Sequence, residues 1–407
     1  MKVAFIFLHP FSESMGSVVR VRELSLSLEK FGVEVYVITP FERSFDLSTN
    51  VHVVSMSDFI NVVGLSKVLY KLTRFFYYNK AFPNLFSKSG LQSNKIMVKI
   101  IRGIAKLLIK KDVDIVQVEQ DVALPIGVAL RTEMGLPLIV DLHNITSEEL
   151  VAAGVLKRDS DQFLALQGRT EKYLAETDRV VVVSECMREY VVANYGFSSA
   201  VVHVVPPGGR PCVDKGVVEK RVRPIKVVYA GLVAYRERID LFVRSMPFVM
   251  DCDGTVRFYI TNKGDEVKRI KKLAEKLGVN PKFFWYDDYE SVNHFLSTCH
   301  VGVLPSSDDD ARKMGTPVKL FNYMSVGLPV VANDIGGWTE IIRREKVGLL
   351  TSDDPKEFAE ALISIVSNPK AMQEYAINGL ELVEKKYNWD NSAQVLLQVY
   401  NDLTGNI

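Results

Sequence analysis

Short apolar runs alternate with helix-period stretches from one end of this chain to the other. Runs bounded by turn residues occur at Val3–Leu8, Val33–Ile38, Asp114–Val118, Leu138–Asp141 and Arg179–Ser184. Between the first two, Val18–Phe31 places Val21, Leu24, Leu26 and Leu28 so as to predict one inward helix face. The cluster Pro206-Pro207-Gly208-Gly209-Arg210-Pro211 breaks the rhythm. It restarts at Ile225–Ala230 and recurs at Thr255–Ile260, His300–Leu304 and Pro329–Ala332. Short apolar strands joined by helices make parallel sheets covered on both faces. The expected fold is therefore α/β: two Rossmann-like, doubly wound domains over residues 1–207 and 208–387. Where the last helix, Asn391–Leu403, packs does not follow from the pattern. In such folds ligands bind beyond the carboxyl ends of the strands, which makes the cleft between the domains the expected site.

Length and composition narrow the class. The 407 residues suit two domains, and 47% apolar with 24% charged residues is ordinary for a globular protein. No uninterrupted apolar run of eighteen residues exists, so no transmembrane helix is expected. The stretch Met1–Leu8 is too short for a signal-peptide core and reads as a buried strand. Cys186, Cys212, Cys252 and Cys299 lie far apart, which fits a reducing cytoplasm better than a zinc site or a disulfide framework. The net charge of +1 hides an asymmetry: eleven Lys/Arg and no Asp/Glu lie between Phe59 and Lys111, leaving the rest at −10. Residues 67–111 interleave these cations with Tyr70, Phe75, Phe76, Tyr77, Tyr78 and Phe82. That pattern suits an anionic membrane surface, or else amphipathic helices packed on the domain with their lysines in water. Nucleic acid is not an expected partner, because no recognition fold accompanies the segment.

Familiar motifs are missing: there is no G-x-G-x-x-G opening a helix after the first strand, no Walker A loop and no G-x-S-x-G elbow. Candidate chemistry lies in the loops after strands. Gly16, in Ser12-Glu13-Ser14-Met15-Gly16-Ser17, permits close ligand approach at a helix N-terminus, or is simply a turn glycine beside a serine cap. His143 follows Asp141 at a strand end. Gly231 opens the loop carrying Arg236 and Arg238, whose guanidinium forks match phosphate oxygens. Thr316 reads as an N-cap and Pro317 as the first helical residue, with Lys319 in the first turn. A lysine there opposes the helix dipole unless an anion is bound. Asp308-Asp309-Asp310 reads as a solvated acidic loop rather than a metal site. Gly336 and Gly337 permit close backbone approach, and Glu340 offers acceptors to sugar hydroxyls.

Taken in order, these segments resemble the retaining nucleotide-sugar glycosyltransferases of the GT-B fold, family-4 group. The resemblance runs over Met15-Gly16-Ser17, His143, Thr177-Asp178-Arg179-Val180-Val181-Val182-Val183-Ser184, Val205-Pro206-Pro207-Gly208, Gly315–Val331 and Gly336-Gly337-x-x-Glu340. It implies transfer of a sugar from a nucleoside diphosphate sugar to an acceptor hydroxyl, with no metal or other cofactor. It implies that Gly16 and His143 act at the reacting sugar. Gly231, Arg236, Arg238, Thr316, Pro317, Lys319 and Asn322 would hold the donor, and Gly336, Gly337 and Glu340 the sugar. It also implies that residues 388–407 cross back to the first domain. A lipid-linked or cell-surface glycan precursor is the acceptor that a cytoplasmic enzyme on the inner membrane face would use. The departures are Met314 and Asn322 where the family carries two glutamates, Leu232 for its arginine and Glu237 for its lysine. They keep two alternatives open, a non-catalytic binding subunit and a sugar-nucleotide 2-epimerase.

Overall fold

A computed structural model describes residues 1–9, 16–40, 44–58, 95–212, 224–286 and 288–405. The chain divides into one unit of Met1–Pro206 with Asp390–Ile407 and a second of Pro207–Trp389.

In the first unit the strands are β1 (Lys2–Ile6), β2 (Glu34–Thr39), β3 (Phe45–Asp46), β4 (Val51–Ser55), β5 (Ile115–Glu119), β6 (Leu138–Leu142), β7 (Arg179–Val182) and β8 (Val202–Val204). Their order across the sheet is β3-β4-β2-β1-β5-β6-β7-β8, parallel except for the β3–β4 pair. Val3, Ala4, Phe5 and Ile6 are fully buried, as a strand covered on both faces requires. The chain winds outward from β1 to β4, then returns to the other side of β1 as β5. That reversal leaves a crevice beyond the carboxyl ends of β1 and β5.

The helix Gly16–Glu29 buries Val18, Val21, Leu24 and Leu28. Leu26, expected inward, is only half-buried; at about 100° per residue it stands roughly 140° around the helix from Val21. The helix Lys95–Lys111 is the described part of the basic segment, and residues 67–94 lie outside the described residues. It buries Ile100, Ile101, Ile104 and Leu108 in the unit's core. Lys99, Arg102, Lys106 and Lys110 face out. The apolar face expected to lie in a membrane surface is thus already covered by the domain in this helix.

The C-terminal helix Trp389–Thr404 contributes Ala393, Leu396, Val399 and Tyr400 to buried positions. Its contacts within the first unit include Lys30 Nζ to Asp390 Oδ2 at 2.7 Å and Ser392 Oγ donating to the Pro206 carbonyl at 2.8 Å.

The second unit repeats the winding with β9 (Lys226–Tyr229), β10 (Arg257–Thr261), β11 (Lys282–Phe284), β12 (Val301–Val303), β13 (Val330–Asn333) and β14 (Gly348–Thr351). All are parallel in the order β11-β10-β9-β12-β13-β14, so the reversal falls between β9 and β12. Gly208 is required by close packing: a Cβ there would lie 2.5 Å from the Asn388 carbonyl carbon. Gly302 in β12 is similarly confined, its missing Cβ 2.5 Å from the Tyr323 ring. That ring is anchored, since the Tyr323 hydroxyl accepts from Ala230 N at 2.8 Å. Gly302→Ala should therefore cost about 1–3 kcal/mol by overpacking, read as a lower melting temperature.

Candidate active site

Two clusters of charge sit at the two reversal points, one in each unit, the first buried and the second partly buried. The first gathers around β6. Asp141 is fully buried, and Arg20 from the helix Gly16–Glu29 reaches both its oxygens, Nε to Oδ2 at 2.9 Å and Nη2 to Oδ1 at 3.0 Å. His143, just past the strand, brings Nε2 to 2.9 Å from Glu119 Oε2 and 3.5 Å from Asp141 Oδ2. These are close charge contacts without the alignment of hydrogen bonds, and His143 Nδ1 has no partner among the described residues. Burial opposes charge on His143, but Asp141 and then Glu119 outweigh it and raise the imidazole pKa to about 9. Burial and the Asp141 charge push the Glu119 carboxyl upward. Burial also acts on Asp141, yet Arg20 and His143 hold its carboxyl down.

Glu119, Asp141 and His143 are compact enough to hold a metal ion geometrically. A guanidinium on both Asp141 oxygens, however, places a positive charge where a second cation would have to sit. Next to this group, Gln120 adopts φ 68° and its side-chain oxygen lies 3.1 Å from His9 Nε2. Such a backbone angle in a non-glycine residue is held only by its surroundings. Gly16 is the exposed first residue of its helix. The preceding residues Ser12 to Met15 lie outside the described residues.

The second cluster gathers beyond β9 and β12. Lys319 leans over Gly231: a Cβ there would meet Lys319 Cδ at 2.6 Å and Nζ at 2.9 Å. The glycine is what lets the ammonium reach the buried Tyr229 hydroxyl, 3.2 Å away. Both groups meet Glu237, whose Oε2 accepts from Tyr229 at 2.9 Å and from Lys319. Arg312, on the short helix Asp310–Met314, donates to Oε1 of the same carboxylate. Burial would raise the Glu237 pKa, but Arg312 and Lys319 together hold it near about 2. Lys319 is pulled down, by burial first and by Arg312, against the pull of Glu237.

This explains the lysine at the dipole-positive end of a helix. The anion that offsets it is the chain's own Glu237. The helix itself starts later than its sequence suggests: it spans Val318–Ser325 with Pro317 at the N-cap, and no side chain caps it. Thr316 is therefore not the cap. Pro317 itself is extended, at φ −71° and ψ 123°, so it stands before the helix as its N-cap instead of within the first turn. Asn322 lies half-buried one turn beyond Lys319.

The two arginines expected at the diphosphate are each paired with acidic side chains in this structure. Arg236 Nη2 lies 3.3 Å from Asp309 Oδ1. Arg238, in a left-handed conformation at φ 46°, pairs with Asp353 at 2.5 Å and Asp240 at 3.4 Å. The acidic loop is internally satisfied at two positions: Asp308 pairs with Lys313 at 2.7 Å, and Asp309 caps its helix through Arg312 N at 3.0 Å. Gly336 and Gly337 take positive φ of 77° and 61°. Gly337 packs against the Lys313 carbonyl, 2.1 Å from where its Cβ would be. Glu340 is half exposed and paired with Arg343, which also reaches Asp334.

Sequence reasoning thus missed Arg20, Glu119 and Arg312. Glu119 had a signal, being a carboxylate that ends the apolar run after Asp114. Arg20 and Arg312 had none, since helical arginines are ordinarily solvated.

Two doubly wound, Rossmann-like units in one chain place it in the GT-B class of glycosyltransferase fold. Residues 15–209 match Glycosyltransferase Family 4, and residues 224–368 match Glycosyl transferases group 1. The chain belongs to this glycosyltransferase family. It is 23% identical to an uncharacterized glycosyltransferase of Methanocaldococcus jannaschii, over 68% of this chain and 72% of that one. It is 25% identical to a phosphatidyl-myo-inositol mannosyltransferase of Mycobacterium leprae, over 40% of this chain and 43% of that one. Among solved structures, Anabaena HepE in complex with UDP superposes with a TM-score of 0.69 at 12% identity, covering 99% of this chain and 100% of that one.

Proposed function

We propose that this protein moves a sugar from a nucleoside diphosphate sugar to an acceptor hydroxyl with retention at the anomeric carbon. The observation that carries this reading is the convergence of Lys319, which lies over Gly231, and Arg312 on the Glu237 carboxylate at the β9–β12 reversal. Two converging cations, one of them over a side-chain-free backbone, suit a diphosphate, and would stabilise it as it leaves without help from a metal. The bound UDP in the HepE structure supports a nucleotide donor. In the transfer step the acceptor oxygen bonds to the anomeric carbon on the face from which the diphosphate departs. The bond from that carbon to the diphosphate oxygen breaks, and the diphosphate takes the hydroxyl proton. His143 contacts the sugar, Gly16 approaches the acceptor, and Asn322 meets the ribose. Glu340, freed from Arg343, holds sugar hydroxyls beside Gly336 and Gly337.

The acceptor in this reading is a lipid-linked or cell-surface glycan precursor met at the cytoplasmic face of a membrane. The mannosyltransferase relative, named for a phosphatidylinositol acceptor, supports it. Because the apolar face of Lys95–Lys111 is buried, attraction by that helix is electrostatic, through Lys99, Arg102, Lys106 and Lys110. Co-sedimentation should rise with the anionic lipid content of liposomes and fall with salt. Binding indifferent to both would remove the membrane from the account.

A second reading has its own support. Glu237 already occupies both cations, as it would in a binding subunit that performs no transfer. Incubation with nucleotide sugars and lipid-linked acceptors separates the two, with the anomeric proton of the product read by NMR. Retained configuration supports the transferase; inversion overturns the stereochemistry, and absence of product favours the binding subunit. Donor turnover without an acceptor would point instead to an epimerase.

A further inference from the structure

The side chains behind His143 form a connected run that ends on the C-terminal helix. Tyr400 is fully buried and donates its hydroxyl proton to Gln117 Oε1 at 2.6 Å. With that oxygen taken, the Gln117 amide turns Nε2 toward Glu119 and donates to Oε1 at 2.8 Å. The other oxygen, Glu119 Oε2, faces His143 Nε2 at 2.9 Å. Gln117 and Glu119 stand two residues apart on β5 and so share one face of the sheet. The transfer step described above uses neither Tyr400 nor Gln117.

We propose that Tyr400, Gln117 and Glu119 are positioning residues for His143, a relay through which the C-terminal helix fixes the imidazole and leaves its Nδ1 to donate to a ligand oxygen. The proposal rests on the reading that His143 contacts the ligand. The ring is faced by Glu119 from β5, Asp141 from β6 with Arg20 behind it, and His9 beyond β1. Two carboxylates within 3.5 Å favour the ring with protons on both nitrogens. Nδ1, with no hydrogen-bond partner among the described residues, is then a donor. Glu119 sustains this only as an ionised acceptor, and the Gln117 N–H stabilises that form. If Tyr400 lost its hydroxyl, the Gln117 amide could flip and turn its oxygen toward Glu119. The carboxyl would then hold a proton more readily, and the imidazole would release its own at lower pH.

The test is an NMR titration of the His143 ring in the labelled full chain without nucleotide, its signal assigned by its loss in His143→Ala. The wild-type ring should titrate at about 9. Glu119→Gln, which keeps the shape and removes the charge, should lower that midpoint by about one pH unit or more. Tyr400→Phe, which deletes a single oxygen, should move it the same way by less. In the transfer assay both variants should lower kcat with little change in donor KM. A His143 midpoint unmoved by either substitution overturns the relay. Because the titration needs no turnover, a shifted midpoint in a protein that transfers no sugar would sink the transferase reading and leave the relay standing. An unmoved midpoint in an active enzyme would sink the relay alone.

Discussion

Replacing His143 with alanine should lower sugar transfer by about a hundredfold or more while leaving the chain folded. The ring is a cationic donor set among buried acids, with Nδ1 unpartnered among the described residues, so its loss removes a contact to the ligand. Arg20 cannot substitute, because its guanidinium is bound to both oxygens of Asp141. The fold survives because Glu119, already pushed toward its neutral form by burial and by Asp141, can take a proton when the imidazolium is gone. Stability should change its pH dependence as well. The folded imidazole titrates at about 9 against 6.5 when unperturbed, so its stabilisation is fully present below about 6.5 and lost as pH rises through 9. Denaturant unfolding at a series of pH values should show that alkaline loss in the wild type, and a smaller one in His143→Ala. Equal turnover in the two proteins would remove the residue from the mechanism.

The second large effect is expected at Lys319 and Arg312. Lys319→Met or Arg312→Ala should each weaken nucleoside diphosphate binding by roughly ten- to a hundredfold, the worth of one charge-assisted hydrogen bond in a partly buried site. Neither change should unfold the second unit, because the remaining cation and the Tyr229 hydroxyl still hold Glu237. Arg238→Ala is the informative contrast. Its guanidinium is committed to Asp353 and Asp240, so nucleotide affinity should barely move. Isothermal titration of all three variants gives the comparison directly. Affinity lost in Arg238→Ala and kept in Lys319→Met would return the diphosphate to the glycine-loop arginines.

The framework was legible because burial on both faces forces strands to be continuously apolar, a pattern that single residues do not disturb. Val3–Leu8 and Leu138–Asp141 announce themselves in this way, and the structure shifts the first to Lys2–Ile6 and lengthens the second to Leu142. β3 did not, being two residues, Phe45 and Asp46, with no apolar run to read, and in β8 His203 interrupts the valines. Leu26 failed for a different reason: four leucines and valines in the eight residues Val21–Leu28 fit a helix face loosely, and only angular position separates the half-buried one from the rest. In the sites, position within the loops was readable and partnership was not. Gly231 and Lys319 could each be singled out, yet nothing in the order of residues says that the ammonium lies over the glycine or that Glu237 answers it. Ion pairs such as Arg20–Asp141 join residues 121 positions apart, and the sequence carries no local trace of such closure.

In the proposed enzyme the second unit binds a nucleoside diphosphate through Lys319 and Arg312. The most direct measurement is calorimetric titration of UDP, GDP and ADP, each with its sugars, into the wild-type chain and into Lys319→Met. The account predicts saturable binding of one nucleotide to the wild type, weakened in the variant. Binding of none, or binding that Lys319→Met leaves unchanged, would contradict it.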